Sequence, residues 1–295
     1  MPQQIRSTVS RWLYVFIIFE SILVRFLFIG SIPPGNHMLL RSFTALSGVG
    51  SIILLMLIVD QVTKNRILSW LTGLSLSLIP WHIEQSRIIS PVVWILALIL
   101  GVFYINLLIR KKSLWLLSIL IIIVSSIVWY PEAFSGLTTL RSIPLNQLLN
   151  NLFHLMSFEL WFFKNDSMWI GGIHEIGILL PSLIPLFLLG LIESIKRIKQ
   201  RHIWVIIYTL GIFLIAAVNP QFPEGRLFFL ILPIAAIVLS LGTIKGLTEM
   251  ITSKNKSKYL WLIYFLVIGY EYLWYWHFYI AHYAKSLVST GKVGF

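Results

Sequence analysis

Long apolar stretches, separated by short polar segments, follow one another along almost the whole chain. Each stretch is close to the roughly 20 residues that an α-helix needs to cross a bilayer. The pattern predicts about nine transmembrane helices, over residues 12–30, 39–60, 66–80, 91–109, 114–130, 176–195, 203–219, 227–246 and 259–283. The third stretch is short and ends at Pro80. A single transmembrane domain over residues 1–295, of the all-α integral membrane class, accommodates every stretch.

The basic residues orient these helices, because cytoplasmic loops carry an excess of Lys and Arg. With a cytoplasmic N-terminus, fifteen of the 23 Lys and Arg residues fall in cytoplasmic segments, and the opposite orientation leaves only eight there. The sequence therefore predicts a multi-pass protein of the cell (plasma) membrane, with its N-terminus in the cytoplasm and its C-terminus outside. These loops also explain the net charge of +12, so no nucleic-acid partner is expected.

Composition excludes several classes of protein. The chain is 58% hydrophobic and 12% charged, whereas a soluble domain carries about 25% charged residues. Cysteine is absent, which excludes disulfides and thiolate chemistry. The sequence contains no glycine-rich nucleotide motif, zinc-ligand spacing or nucleophile elbow. We therefore predict no cofactor and no metal ligands, and the need for a divalent metal stays open.

The acidic residues favour the outer side, where six of the eleven are expected. The one long connection, 131–175, also lies outside, and its portion Leu145–Phe163 has leucines near helical spacing. This portion predicts an interfacial helix lying on the membrane. Two further carboxylates, Glu20 and Glu271, fall within predicted spans. Since a charge inside a bilayer is costly, each is expected to have a partner.

A polar cluster over residues 80–87 stands where the third span meets the outer interface. His82, Glu84 and Arg87 supply a neutral donor or acceptor, a base and a fixed cation. Glu84 and Arg87 are three residues apart, so on a helix they would share a face. An interfacial salt bridge, with Trp81 anchoring the helix end, explains the same pattern equally well.

Two other positions could contribute to an outer site. Arg226 stands at the outer mouth of the eighth span, where it could hold an anionic headgroup or snorkel to lipid phosphate. Asp166 lies in the long outer loop near Glu175. Its carboxylate could act as a general base or be a solvated loop charge.

Four segments in this order resemble bacterial membrane glycosyltransferases of family 39, the protein-mannosyltransferase and aminoarabinose-transferase-like group. They are HMLLRSFTALSGVGSIILLMLIV with IPWHIEQSR, the loop NNLFHLMSFELWFFKNDSMWIGGIHEIGILLPSLIPLFLLGL, then NPQFPEGRLFFLILPIAAIVLSLG, and finally YWHFYIAHYAKSLVSTGKVGF. Each motif is loose, and their order and spacing carry the likeness.

The resemblance implies a C-type multispan bundle that transfers a sugar from a polyprenyl-phosphate donor to an acceptor hydroxyl on the outer face. The acceptor would be a glycan, a lipid or a protein, and membrane lipid would surround the bundle. The implied site residues are Asp166 and Glu84 as candidates for the catalytic base, Arg87 and Arg226 on the donor phosphate, and His82 and Arg41 as supporting donors.

The first outer loop departs from the family pattern. Relatives usually carry a long first loop with an acidic motif that supplies the base, whereas residues 32–37 contain no carboxylate. One alternative is therefore a non-catalytic relative that binds lipid-linked glycan or assists another transferase. A second is a small-solute transporter or lipid flippase. An enzyme is expected to have an outer cavity lined by Arg87, Arg226 and a carboxylate, and a transporter a cavity near the midplane.

Overall fold

The computed structural model describes residues 3–27, 37–109, 144–163, 177–196, 203–218, 226–252 and 256–283. Every regular element in these ranges is helical. The α-helices, numbered here in chain order, are α1 Gln3–Phe26, α2 Met38–Thr63, α3 Arg66–Leu78, α4 Pro80–Arg87, α5 Pro91–Ile109, α6 Leu145–Leu155, α7 Ile184–Lys196, α8 Ile203–Val218, α9 Leu232–Thr252 and α10 Lys256–Phe278. Short 3-10 turns at Pro181–Leu183 and Arg226–Ile231 precede α7 and α9, and π-helical turns form at Glu159–Phe163 and Tyr279–Tyr283.

Three helices of the described part are long and apolar enough to cross a membrane: α2, α5, and the continuous helix Phe228–Thr252 that includes α9. The protein is thus an all-helical, membrane-embedded protein, as the apolar pattern predicts. Three is fewer than the nine spans expected. Helices α3 and α7 have only 13 residues each, and the predicted span 114–130 lies outside the described residues.

Local sequence explains where the third span begins and ends. Asn65 caps α3, because its side-chain oxygen accepts a hydrogen bond from the Leu68 amide at 3.2 Å. Helix α3 stops at Leu78, two residues before Pro80, since a proline disfavours helical geometry in the residue that precedes it. Pro80 then occupies the first turn of α4, where its missing N–H costs nothing.

The helix predicted within Leu145–Phe163 is confirmed in its first part only, because α6 ends at Leu155 and a separate turn follows. Ser157 breaks the helix by accepting a hydrogen bond from the Leu160 amide at 3.2 Å. The indole N–H of Trp161 donates to the Leu155 carbonyl at 2.9 Å, which satisfies an otherwise unpaired carbonyl at the end of α6.

The predicted span 176–195 also begins later than expected, since α7 starts at Ile184. Glu271 of α10 accepts a hydrogen bond from the Ser182 amide at 2.9 Å, just before α7. The Tyr264 hydroxyl donates to the Ser182 carbonyl at 2.6 Å. A carboxylate at a helix N-terminus satisfies a free N–H and matches the helix dipole, so this contact provides the partner expected for Glu271.

The most extensive helix packing in the described part is that of α7 against α9. Gly190 of α7 and Gly242 of α9 face the partner backbone, and a Cβ on either would collide with the carbonyl of Val238 or Leu186. Small residues let membrane helices approach in this way. On the other side of the bundle, α2 packs against α5 and α3, and α1 lies across α2, α3 and α4.

Candidate functional site

Helix α4 is the most polar element of the bundle interior, and all eight of its residues are buried. It lies against the end of α1 and the beginning of α2, with Tyr275 of α10 and Phe229 of the turn before α9 in contact with it. Buried polar groups require hydrogen-bond partners. The contacts of α4 therefore define one connected polar site, which we name the α4 cluster: Arg25, Arg41, Ser51, His82, Glu84, Ser86, Arg87, Tyr275 and Tyr279.

A chain of hydrogen bonds crosses this cluster from α1 to α2. Arg25 donates from Nη2 to Nδ1 of His82 at 2.6 Å. On the other side of the ring, Nε2 of His82 lies 3.0 Å from Ser51 Oγ, which in turn donates to the Gly48 carbonyl at 2.7 Å. Since a guanidinium only donates and the Ser51 proton is engaged with Gly48, His82 is the neutral tautomer with its proton on Nε2.

The environment of His82 opposes a second proton on its ring. The ring is fully buried and stacks on Phe229 with centroids 5.5 Å apart. Burial, together with the positive charge of Arg25, holds the pKa of His82 well below its usual value. Protonation would also place an N–H on Nδ1, directly against the Arg25 guanidinium. His82 therefore acts as a hydrogen-bonding bridge and not as a cation.

Arg87 ties α4 to the end of α1. Its two terminal nitrogens donate to the Val24 and Leu27 carbonyls, each at 2.6 Å. Val24 lies in the last turn of α1 and Leu27 directly follows it, at a helix end where carbonyls need partners from outside the helix. The Arg87 guanidinium also lies over the Tyr279 ring, 5.3 Å from its centroid. Arg41 of α2 completes this side by donating from Nε to the Arg87 carbonyl at 3.1 Å.

Glu84 is the carboxylate of the cluster, with only 3% of its surface exposed. The Tyr275 hydroxyl donates to Glu84 Oε1 at 3.2 Å. Three guanidinium groups thus share the cluster with one carboxylate. Even if Glu20, which interacts electrostatically with Arg25, is counted as a second anion, the described residues of the cluster carry a net positive charge. Excess cationic charge away from water favours an anionic ligand.

Gly48 allows α4 to come this close to α2. A Cβ at this position would lie 2.8 Å from the Ser86 Cβ and 3.1 Å from Nε of Arg25. Both distances are too short for a relaxed side chain. The glycine therefore sets the distance at which Arg25 and His82 meet Ser51.

The structure brings together four of the six residues that the sequence singled out: Arg41, His82, Glu84 and Arg87. Arg226 begins the 3-10 turn before α9, but its side chain lies outside the described part of the structure. Asp166 is likewise outside the described residues.

Sequence reasoning missed Arg25, Ser51 and the two buried tyrosines. The aromatic run 270–283 suggested an interfacial belt, and this interpretation fits Tyr270, which is exposed. Tyr275 and Tyr279 are instead fully buried. Their spacing of four residues, which puts both on one helix face, was the available signal.

An apolar cleft of about 250 Å³ lies beside the cluster between α7, α8 and α9. We call it the outer cleft, after the side of the membrane on which the sequence predicts the 131–175 connection. Trp161, Phe187 and Phe213 contribute to its lining. Phe228 packs edge-on against Trp161 with centroids 5.7 Å apart, and the adjacent Phe229 stacks on His82. The Arg226–Ile231 turn thus separates the outer cleft from the charged groups.

The fold and this site define a helical membrane protein with a buried, positively charged polar cluster beside an apolar cleft. Within the described ranges, no three His, Asp or Glu side chains come together as a metal ion would require. No family model, curated protein or solved structure matches the chain.

Proposed function

We propose that the protein is a membrane glycosyltransferase that moves a sugar from a polyprenyl-phosphate donor to an acceptor hydroxyl on a glycan, lipid or protein. The observation that carries this proposal is the gathering of Arg41, His82, Glu84 and Arg87 into one cluster of net positive charge. Cations fixed near a departing phosphate stabilise the charge that develops on it. The neighbouring outer cleft supplies an apolar surface suited to an isoprenoid chain.

The proposal includes a nine-span, C-type topology in the plasma membrane, with a cytoplasmic N-terminus and an external C-terminus. The end of α1, the beginning of α2 and the end of α10 meet at the α4 cluster. When helices alternate in direction through the membrane, the end of one helix and the beginning of the next lie on the same side. The cluster then belongs to the outer side, where the acidic residues of the sequence are concentrated.

Within this proposal, Arg87 and Arg226 bind the donor phosphate, and His82 and Arg41 are supporting donors. The catalytic base is Glu84 or Asp166, which would take the proton of the acceptor hydroxyl as its oxygen attacks the sugar. In a single displacement, the acceptor oxygen forms the new glycosidic bond as the sugar–phosphate bond breaks and polyprenyl phosphate leaves. Because attack comes from the face opposite the phosphate, transfer would invert the configuration of the anomeric carbon.

The test is sugar transfer by the purified protein, reconstituted in liposomes, from a panel of polyprenyl-phosphate sugars. Native protein should transfer at least one sugar. Glu84→Gln or Asp166→Asn should abolish turnover while donor binding survives, and Arg226→Ala should weaken donor binding. Glu249→Gln, which changes an exposed carboxylate paired with Lys245, is the matched control. A folded protein that binds no donor contradicts the proposal.

A second candidate is a relative that binds lipid-linked glycan without transferring it. Arg87 donates both terminal nitrogens to α1 carbonyls, and Arg25, His82 and Ser51 are bonded to one another. The outer cleft is lined by residues other than Arg87 and Glu84. These contacts favour a structural role for the cluster. Donor binding by the native protein without transfer of any sugar would select this candidate, and transfer by the purified protein alone would exclude it.

A further inference from the structure

A second cavity opens at the opposite end of the bundle from the α4 cluster. It has a volume of about 390 Å³ and lies between α1, α2 and α3. Asp60, which lines it, is 19 residues from Arg41, or about 28 Å along α2 at 1.5 Å per residue. We call this cavity the α1–α3 crevice. Arg41, His82, Glu84 and Arg87, the proposed glycosyltransferase residues whose side chains are described, do not line it.

The lining of the crevice changes from polar to apolar with depth. Asp60 lies near the end of α2, and Arg66 is the first residue of α3, so both stand at the mouth. Along α2, Leu57 and Ile53 lie about 4.5 and 10.5 Å deeper than Asp60. On α1, Tyr14 lies near the mouth and Ile18 is one turn deeper.

This gradient matches a phospholipid, with its headgroup at the membrane surface and its acyl chain toward the interior. Tyr14 fits the same level, because aromatic residues with a polar tip favour the membrane–water boundary. Its hydroxyl lies 3.1 Å from Ser69 Oγ of α3, which fixes the ring at one wall of the crevice. Aliphatic side chains from two helices then offer the deeper surface that an acyl chain would cover.

Among the described lining residues, the charges of Asp60 and Arg66 favour particular headgroups. Arg66 offers guanidinium donors to a phosphate, and Asp60 offers a carboxylate to a cation. A zwitterionic headgroup with a primary amine satisfies both. An anionic headgroup brings no cation to pair with Asp60 and is repelled by its negative charge. A quaternary ammonium has no N–H groups to donate to the Asp60 carboxylate.

We propose that the α1–α3 crevice is a binding site for a phospholipid that carries a primary amine, with its phosphate at Arg66, its ammonium at Asp60 and one acyl chain along Ile18, Ile53 and Leu57. The site is separate from the proposed sugar-transfer chemistry.

The experiment is native mass spectrometry of the purified protein with lipids of identical acyl chains. The headgroups are phosphatidylethanolamine, its N-methyl and N,N-dimethyl derivatives, phosphatidylcholine and phosphatidylglycerol. Affinity should fall stepwise as methyl groups replace N–H donors, to a total of about tenfold for phosphatidylcholine, equivalent to about 1.4 kcal/mol. Phosphatidylglycerol should also bind about tenfold more weakly. Soluble glycerophosphoethanolamine, which lacks acyl chains, should not compete.

Variants locate the site. Asp60→Asn should remove the preference for the amine headgroup, Arg66→Gln should weaken every phospholipid, and Leu57→Trp should block the acyl chain. Lys64→Gln is the matched control, because Lys64 lies between the two charged residues in sequence, is exposed and bonds Gln61 at 2.9 Å. It should leave the headgroup preference unchanged.

Equal affinity for the ethanolamine and choline lipids in the native protein would overturn the proposal, and this result needs no variant to fold. The proposal would also be overturned if folded Asp60→Asn and folded Leu57→Trp both kept the preference for the ethanolamine lipid. Because the readout is lipid affinity, it does not depend on whether the protein transfers sugar.

Discussion

Arg25 and His82 are joined by a 2.6 Å hydrogen bond in which a guanidinium of α1 donates to the unprotonated nitrogen of a buried imidazole. A cation and a neutral histidine are compatible at this distance only while Nδ1 keeps its lone pair. The stability of the bundle therefore depends on a ring that stays neutral at a pH where an exposed histidine would be protonated.

The first prediction concerns pH. The pKa of His82 is depressed in the folded state by burial and by Arg25, whereas an unfolded histidine titrates near 6.5. Above about pH 6.5 neither state binds the proton. Below it, only the unfolded state does, so stability should fall by up to about 1.4 kcal/mol per pH unit until the folded pKa is reached. Unfolding in mixed detergent at pH 8.0, 6.0 and 5.0 measures this slope.

His82→Gln, which preserves hydrogen bonding without titrating, should flatten this dependence. His277→Gln is the control, because His277 is exposed and its replacement should leave the slope intact. A slope unchanged in His82→Gln would show that other groups are responsible.

The second prediction concerns Arg87. Arg87→Met should destabilise the bundle by about 2 kcal/mol, since the part-buried carbonyls of Val24 and Leu27 lose charged donors. Arg87→Lys should retain part of the stability, because an ammonium cannot reach both carbonyls with the fork geometry of a guanidinium. Thermal unfolding in detergent ranks the stabilities of the native protein, Arg87→Lys and Arg87→Met. Lys64→Met is the control for loss of an exposed cation. Equal stability of native protein and Arg87→Met would contradict the capping role.

The third prediction concerns the α7–α9 contact. Gly190→Ala should cost about 1–3 kcal/mol or more, because its methyl group would collide with the Val238 carbonyl. Gly50→Ala is the matched control within a helix, since a Cβ there meets nothing within 4 Å. It should be neutral or stabilising by up to about 1 kcal/mol. The two variants can be compared by denaturation in the same detergent, and similar losses in both would argue against close backbone packing.

The fourth prediction concerns Glu271. Glu271→Ala should destabilise the start of α7 by about 1 kcal/mol, since the Ser182 amide loses its acceptor. Glu271→Gln should lose less, because the amide oxygen still accepts. Hydrogen exchange at the beginning of α7 reports the effect locally. Exchange should be fastest in Glu271→Ala, and identical exchange in the native protein, Glu271→Gln and Glu271→Ala would rule out the cap.

Helices governed by local sequence could be predicted closely. The apolar runs 39–60 and 91–109 correspond to Met38–Thr63 and Pro91–Ile109, because the length of the apolar run suffices to define them and Pro91 marks the start of the second. Prediction failed where a side-chain hydrogen bond, and not the apolar pattern, sets the boundary of a helix. Ser157 divides the expected helix in the outer loop, and the start of α7 is held by a carboxylate 89 residues later in the chain.

The α4 cluster shows the same division. The polar character of 80–87 identified His82, Glu84 and Arg87, because a dense polar segment among apolar spans is visible in sequence. Arg25 could not be assigned to His82, since 57 residues separate them and Glu20 was the nearer charge in sequence. The burial of Tyr275 required knowing which face of α10 meets α4, and a helix with aromatic residues on all sides does not reveal this.

The bonds from Arg87 also have a consequence for biosynthesis. The last turn of α1 is completed by a residue made 60 to 63 positions later than the carbonyls it serves. When α1 first enters the membrane, its final turn has to rely on water or lipid headgroups as partners. Only after α2, α3 and α4 have been inserted can Arg87 replace them. Helix α1 is therefore synthesised well before the residue that completes its hydrogen bonding.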